Sequence, residues 1–232
     1  MLKSIKPLYL LLSLVTWLLL TVALYMVFFF APTEQSMGHI QRIFYFHVPS
    51  AWTAFLSFFI VCVSGILYLK SRCFKWDYLA HAAAEIGVLF ITLVLLSGPL
   101  WARPVWNTWW TWDARLTTSF VLWLLYISYL LLRRFIEEPQ RRAQFAAVFG
   151  IVGFLDVPLV YMSIRWWRTL HPGAVIGGGE DSGLHPHMLI TLLVSLVAFT
   201  MLFITLVLLR SRTLRMGDKA EALIWKTSLE SQ

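Results

Sequence analysis

Two histidines stand in aromatic, proline-flanked sequence: His47 in Phe44-Tyr45-Phe46-His47-Val48-Pro49-Ser50-Ala51-Trp52, and His171 in Trp166-Trp167-Arg168-Thr169-Leu170-His171-Pro172-Gly173. A neutral imidazole is a common metal ligand, and two of them facing one cavity from opposite sides are a way to hold haem iron axially. Between them in the chain runs Pro104-Val105-Trp106-Asn107-Thr108-Trp109-Trp110-Thr111-Trp112-Asp113-Ala114-Arg115, which packs four tryptophans into seven residues before an aspartate and an arginine. Indole offers a flat apolar body and a single N–H donor. The cluster therefore builds a flat aromatic surface beside charge, suited to a large, flat, partly anionic ligand.

Other residues compete for these roles. His185 and His187, in Gly183-Leu184-His185-Pro186-His187, are alternative ligands on spacing alone, and His39 beside Gly38 is a weaker one. Tryptophan is enriched at membrane interfaces without any ligand, but four in seven residues, joined by Trp101, exceed an ordinary belt. Arg103, Arg115, Arg165 and Arg168 are cations near the cluster, and one or two of them could hold a planar carboxylate through a forked hydrogen bond. His81 and Glu85, at i and i+4, read as polar contacts between helices. Asp156, just before Pro158 in an apolar span, reads as a pairing, kink-forming or ligand residue. Cys62 and Cys73 form no C-x-x-C or C-x-x-C-H, which excludes a thiol oxidoreductase and a covalent c-type cytochrome. There is no P-loop either, so an ATP-driven step would belong to a partner.

These residues need a scaffold, and the composition supplies one. Of the 232 residues 59% are apolar and 13% charged, against about 25% charged in an average soluble domain. Six apolar runs, at about Leu8–Phe30, Phe46–Leu69, Leu79–Leu100, Leu116–Leu132, Ala143–Ile164 and His187–Leu209, have the length to cross a bilayer as helices. The fold expected is an all-α integral membrane protein, a single polytopic domain over residues 1–232 with the first run an uncleaved span.

The net charge of +7 is a matter of topology rather than of nucleic acid. With both termini cytoplasmic, the inner segments hold all the Lys and Arg except Arg42, Arg103, Arg115, Arg165 and Arg168, as the positive-inside bias requires. The outer acids are then Glu34, Asp113, Glu180 and Asp181. This orientation puts the tryptophan-rich segment 101–117 outside, together with His39, His47, His171, His185 and His187, and leaves His81 inside. Pro99 and Pro104 bracket the exit of the third span, and no Gly or Pro interrupts Val105–Glu138. A helix running from the cluster into the fourth span would place Trp106, Trp109, Trp110 and Asp113 on one face. The basic tail after Leu209 reads as an amphipathic segment at the inner membrane surface.

The run Trp106–Thr117 resembles the tryptophan-rich "WWD" signature of haem-handling proteins of cytochrome c maturation, and within that superfamily the chain is similar to the heme exporter protein C (CcmC) family of system I. Phe30-Ala31-Pro32, Phe46-His47-Val48-Pro49, Trp166-Trp167-Arg168-Thr169-Leu170-His171 and the chain length support the likeness. The family pattern usually begins Trp-Gly, and Asn107 stands here at the glycine position, where asparagine also tolerates positive φ.

The resemblance implies haem b as cofactor, with His47 and His171 as axial iron ligands. It implies a binding surface of Trp101, Trp106, Trp109, Trp110, Trp112, Asp113 and Arg115. It implies a non-enzymatic protein of the bacterial inner membrane that presents haem at the periplasmic face to a membrane-anchored haem chaperone (the E component). Its other implied partners are the ATP-binding cassette and permease components (A and B) and a small D component. A transporter or channel carrying haem or a small solute through the bundle is the alternative. A b-type electron-transfer cytochrome fits less well, because it would bury its ligands within the spans.

Overall fold

The computed structural model describes residues 6–169, 171 and 184–230. Glu180 and Asp181, counted above as outer acids, lie outside them, as do Leu170, Pro172 and Gly173 of the His171 motif and Gly183 of the His185 motif.

The described chain is helical: α1 (Lys6–Tyr25), α2 (Phe44–Ser71), α3 (Phe74–Trp106), α4 (Ala114–Phe135), α5 (Pro139–Phe154), α6 (Asp156–Trp166) and α7 (Pro186–Glu230). Met26–Phe30 extends α1 as a π-helical turn, and His39–Ile43 is a 3₁₀ turn leading into α2. Six stretches are long and apolar enough to span a membrane, with α5 and α6 together making one of them. Each of the six expected apolar runs is therefore carried by a helical stretch long enough to span, the last of which continues well beyond Leu209.

Prolines explain the interruptions. Pro158 has no N–H for the carbonyl of Phe154 and its ring crowds that carbonyl, and the helix breaks at Leu155. Pro99 and Pro104 lie in the last turns of α3, which continues through both to Trp106. The continuous helix from the tryptophans into α4 is absent. Asn107 takes the left-handed conformation (φ 56°, ψ 27°) and closes α3, and α4 starts only after Asp113. Past Leu209, the tail continues α7 without a break. Its Lys-, Arg-, Ala- and Leu-rich sequence favours helix, and Tyr78 of α3 holds it by donating to Asp218 at 2.7 Å.

In a bilayer helices pack through close backbone contact rather than hydrophobic transfer, so small residues gather at the crossings. Ala80, Ala82, Ala83, Ala84, Ala143, Ala146 and Ala147 are all buried. At Gly87 a Cβ would lie 2.6 Å from the Phe58 ring, and at Gly150 one would lie 2.7 Å from Val61. Phe58 stacks on Tyr126 at 3.6 Å between α2 and α4. At the end away from the tryptophans, Arg133 meets the Asp77 carboxylate with two bonds of 2.6 and 2.7 Å. Nearby, Arg210 grips Glu85 at 2.5 and 2.7 Å, with His81 3.5 Å from the same carboxylate. The pair His81 and Glu85 thus serves helix packing, as its spacing suggested.

Candidate functional site

The site grows from the α2–α3 contact. His47 lies in the first turn of α2, 8% exposed, and its Nδ1 is 2.8 Å from the Ser97 hydroxyl on α3. One turn further along α3, the Trp101 ring meets His47 edge-on at 6.0 Å and Trp106 at 6.1 Å. From the other side the His171 ring comes within 6.4 Å of the His47 ring, centroid to centroid, at an interplanar angle of 37°. The imidazoles, 124 positions apart in the chain, thus share one space.

That space is a cleft walled by Trp101, Trp106, Trp109 and Trp110, with Asp113, Arg115 and both histidines also on its lining. A second, wider cleft between α2, α6 and α7 shares His47, His171, Trp101 and Arg115 with the first and includes Trp52, Tyr161 and Leu193. The histidine pair stands where the two meet. Most of the lining residues are apolar or aromatic, as in small-molecule sites generally.

The polar groups are selectively engaged. Arg115 donates to the Val160 carbonyl at 2.6 Å, which fixes its guanidinium against α6 at the edge of the cleft and leaves further N–H donors on the same group. The N–H groups of Trp101 and Trp110 are buried with no acceptor among the described residues. An unpaired buried donor costs about 1–3 kcal/mol, so the cleft is suited to a ligand that brings acceptors into an aromatic box.

Asp113, on the cleft lining, also starts α4. Its Oδ1 accepts from the Leu116 N–H at 3.0 Å and its Oδ2 from the Thr111 hydroxyl at 3.0 Å, the arrangement of a helix N-cap. With Asn107 reversing the backbone and Asp113 starting α4, residues between them form a loop that turns Trp109 and Trp110 into the cleft. Asn107 is held by Arg103, which donates to its carbonyl at 2.9 Å and to its Oδ1 at 2.7 Å. The helical spacing of the tryptophans carries no sign of this loop.

The remaining candidates lie elsewhere. Trp112 is 71% exposed and lines a neighbouring groove with Trp110, Phe120 and Trp123, outside the histidine cleft. His185 and His187 are exposed and pack on each other at 5.0 Å, with His187 against Phe30 at 4.5 Å. Neither lines either cleft. His39 is exposed at the start of its 3₁₀ turn, Arg165 lies over the Tyr161 ring, and Arg168 is exposed. Asp156 is buried at the α5–α6 break, with its Oδ2 unpartnered among the described residues. Ser97 was not anticipated, because a serine in an apolar span carries no sign of a partner 50 positions away.

No group of three or more metal-ligating side chains occurs among the described residues. Two imidazoles alone suit an iron whose other ligands come from a macrocycle. The two rings, 6.4 Å apart between centroids, are close enough for one such group to reach both.

Fold and site define a multi-pass helical membrane protein with paired histidines in a tryptophan-walled cleft at one end of the bundle. The chain belongs to the heme exporter protein C (CcmC) family, whose model it matches over residues 1–226. It is 40% identical to the heme exporter protein C of Bradyrhizobium diazoefficiens over 82% of this chain and 72% of that protein. It is 32% identical to the protein of the same name from Escherichia coli K12, over 88% of this chain and 82% of the other. A putative cytochrome c biosynthesis ccmC-like mitochondrial protein of Marchantia polymorpha is 33% identical over 79% of this chain and 77% of its own length.

Proposed function

We propose that this chain binds haem b in the tryptophan-walled cleft, with His47 and His171 as axial ligands, and presents it for covalent attachment to a haem chaperone during c-type cytochrome biogenesis. The observation that carries the reading is the 6.4 Å separation of two imidazoles at the junction of two apolar clefts. Trp101, Trp106, Trp109 and Trp110 supply the flat apolar walls, and Arg115 is the cation placed to meet a propionate. The chain's contribution is to hold and orient haem and keep one edge accessible, while bond-forming chemistry belongs to the haem and its acceptor.

The site faces the periplasm of a bacterial inner membrane, with both termini cytoplasmic, since the basic residues collect at the opposite end of the spans. The membrane-anchored chaperone docks there, and the ATP-binding and permease components, with the small D component, drive its release. The alternative of a transporter or channel through the bundle draws on the break at Leu155 beside buried Asp156. Pro158 explains that break without a transported ligand.

The test is the absorption spectrum of the purified protein titrated with hemin. His47→Ala and His171→Ala each remove or shift the haem band, whereas His185→Ala leaves it in place. Unchanged spectra in the first two variants, with loss in the third, would overturn the ligand assignment. Trp110→Ala, which keeps both ligands, reduces co-purification with the chaperone more than it reduces folding.

A further inference from the structure

His47 carries a hydrogen bond that the cleft itself does not require. Its Nδ1 lies 2.8 Å from the Ser97 hydroxyl, and the proton balance of that contact can be worked out. The Ser97 hydroxyl has one proton, and it donates it to the Leu93 carbonyl at 2.6 Å, back along α3. A hydroxyl has one donor and two acceptor sites, so towards His47 the oxygen is an acceptor. His47 Nδ1 must then carry the hydrogen. A neutral imidazole has only one N–H, which leaves the lone pair on Nε2.

The arrangement is rigid on both sides. Ser97 lies two residues before Pro99 in α3, and its back-bond to Leu93 fixes its rotamer. The neighbouring Gly98 packs against the same ring, where a Cβ would lie 3.6 Å from His47 Cε1. Trp101, one turn beyond Ser97, closes the ring's edge at 6.0 Å. Thus α3 touches the imidazole at three successive levels, and only Ser97 makes a polar contact with it.

Resting on the haem reading above, we infer that Ser97 is a positioning residue. It selects the Nδ1–H tautomer of His47, aims Nε2 into the cleft, and raises the donor strength of the imidazole toward iron. Groups that accept the second N–H of a ligating histidine fix its tautomer and orientation and increase its basicity, and their loss typically costs about 10- to 100-fold in metal affinity. A more basic axial ligand favours ferric over ferrous iron, so Ser97 also holds the midpoint potential of the bound haem down.

The experiment uses full-length protein in detergent, titrated with hemin, with the ferric and ferrous spectra and the midpoint potential recorded. Ser97→Ala weakens hemin binding about 10- to 100-fold and moves the potential upward. Ser97→Thr keeps the hydroxyl and restores both. A role limited to helix packing would lower the thermal stability of the ligand-free protein and leave affinity per folded molecule and potential unchanged, and that result overturns the inference. If Ser97→Ala does not fold, Ser97→Cys, which keeps the volume with a weak acceptor, must show the same upward shift, and a wild-type potential there refutes it. His47→Ala separates the two levels of argument. If it leaves the spectrum intact, the haem reading fails and the inference with it; if it alters the spectrum while the serine variants do not, only the role of Ser97 is lost.

Discussion

Arg115 donates to the carbonyl of Val160 at 2.6 Å, tying the first turn of α4 to the helix that leads to His171. The two halves of the site depend on this contact, because α2 and α3 position His47 while α6 positions the approach to the second histidine. One guanidinium therefore meets the backbone on one side and the cleft on the other. Replacement by lysine retains the charge but not the planar fork that reaches both.

Arg115→Ala and Arg115→Lys should both weaken hemin binding, the alanine variant by about tenfold or more, the range set by a hydrogen bond to a charged group. Hemin titration gives the affinity. The lysine variant should fall between alanine and wild type, and equal binding in all three would remove Arg115 from the site.

A second expectation concerns Asp113, whose carboxylate caps α4. Asp113→Ala should lower stability by about 1 kcal/mol, with Asp113→Ser and Asp113→Asn retaining most of it, since both side chains cap well. Thermal unfolding in detergent measures this. Hemin affinity should follow the same order, because loosening the start of α4 loosens the loop that carries Trp109 and Trp110. An alanine variant of full stability with lost binding would instead assign Asp113 to the ligand.

The contrast between Asp113 and the helical strip expected from sequence shows what one-dimensional spacing can reveal. The six spans were legible because bilayer length and apolar composition leave few alternatives, and the paired histidines stood out through their aromatic, proline-flanked surroundings. The loop was not legible from periodicity, since Trp106, Trp109, Trp110 and Asp113 keep helical spacing whether or not a helix joins them. Two local signals pointed the other way. Asparagine at 107 tolerates the left-handed backbone that ends a helix, and aspartate at 113 before an apolar run is a helix start. The contacts from Ser97 to His47 and from Arg115 to Val160 link residues 50 and 45 positions apart, and are fixed only when the helices pack.

The opposite end of the bundle supplies a stability test independent of the site. Arg133 and Asp77 are both buried and joined by two hydrogen bonds. Removing one partner leaves an uncompensated charge, so Asp77→Ala should cost about 3–5 kcal/mol. Replacing both with apolar residues of similar volume, as in Asp77→Leu with Arg133→Met, should recover most of that loss. Unfolding of the single and double variants in a common detergent decides it, and additive losses would show that the pair is not coupled.

The loop between α1 and α2 should respond to acid through Glu34. Its carboxylate accepts from the Met37 N–H and from the Ser36 N–H and hydroxyl, at 2.8 and 2.9 Å for the latter two. The Met37 amide is the largest of the influences that hold the Glu34 pKa below the usual carboxylate value, with the Ser36 hydroxyl next. Because the folded-state value is depressed, the stabilisation is fully present above the ordinary carboxylate pKa and is lost as pH falls through the depressed one. The turn that also pairs Glu34 with Gly38 should therefore loosen only in acid. Amide exchange at Ser36 and Met37, compared at matched intrinsic rates, should show protection falling in that window in the wild type. In Glu34→Gln the protection should be weaker at neutral pH and nearly independent of pH, and an unaltered acid response in that variant would assign the effect to another group.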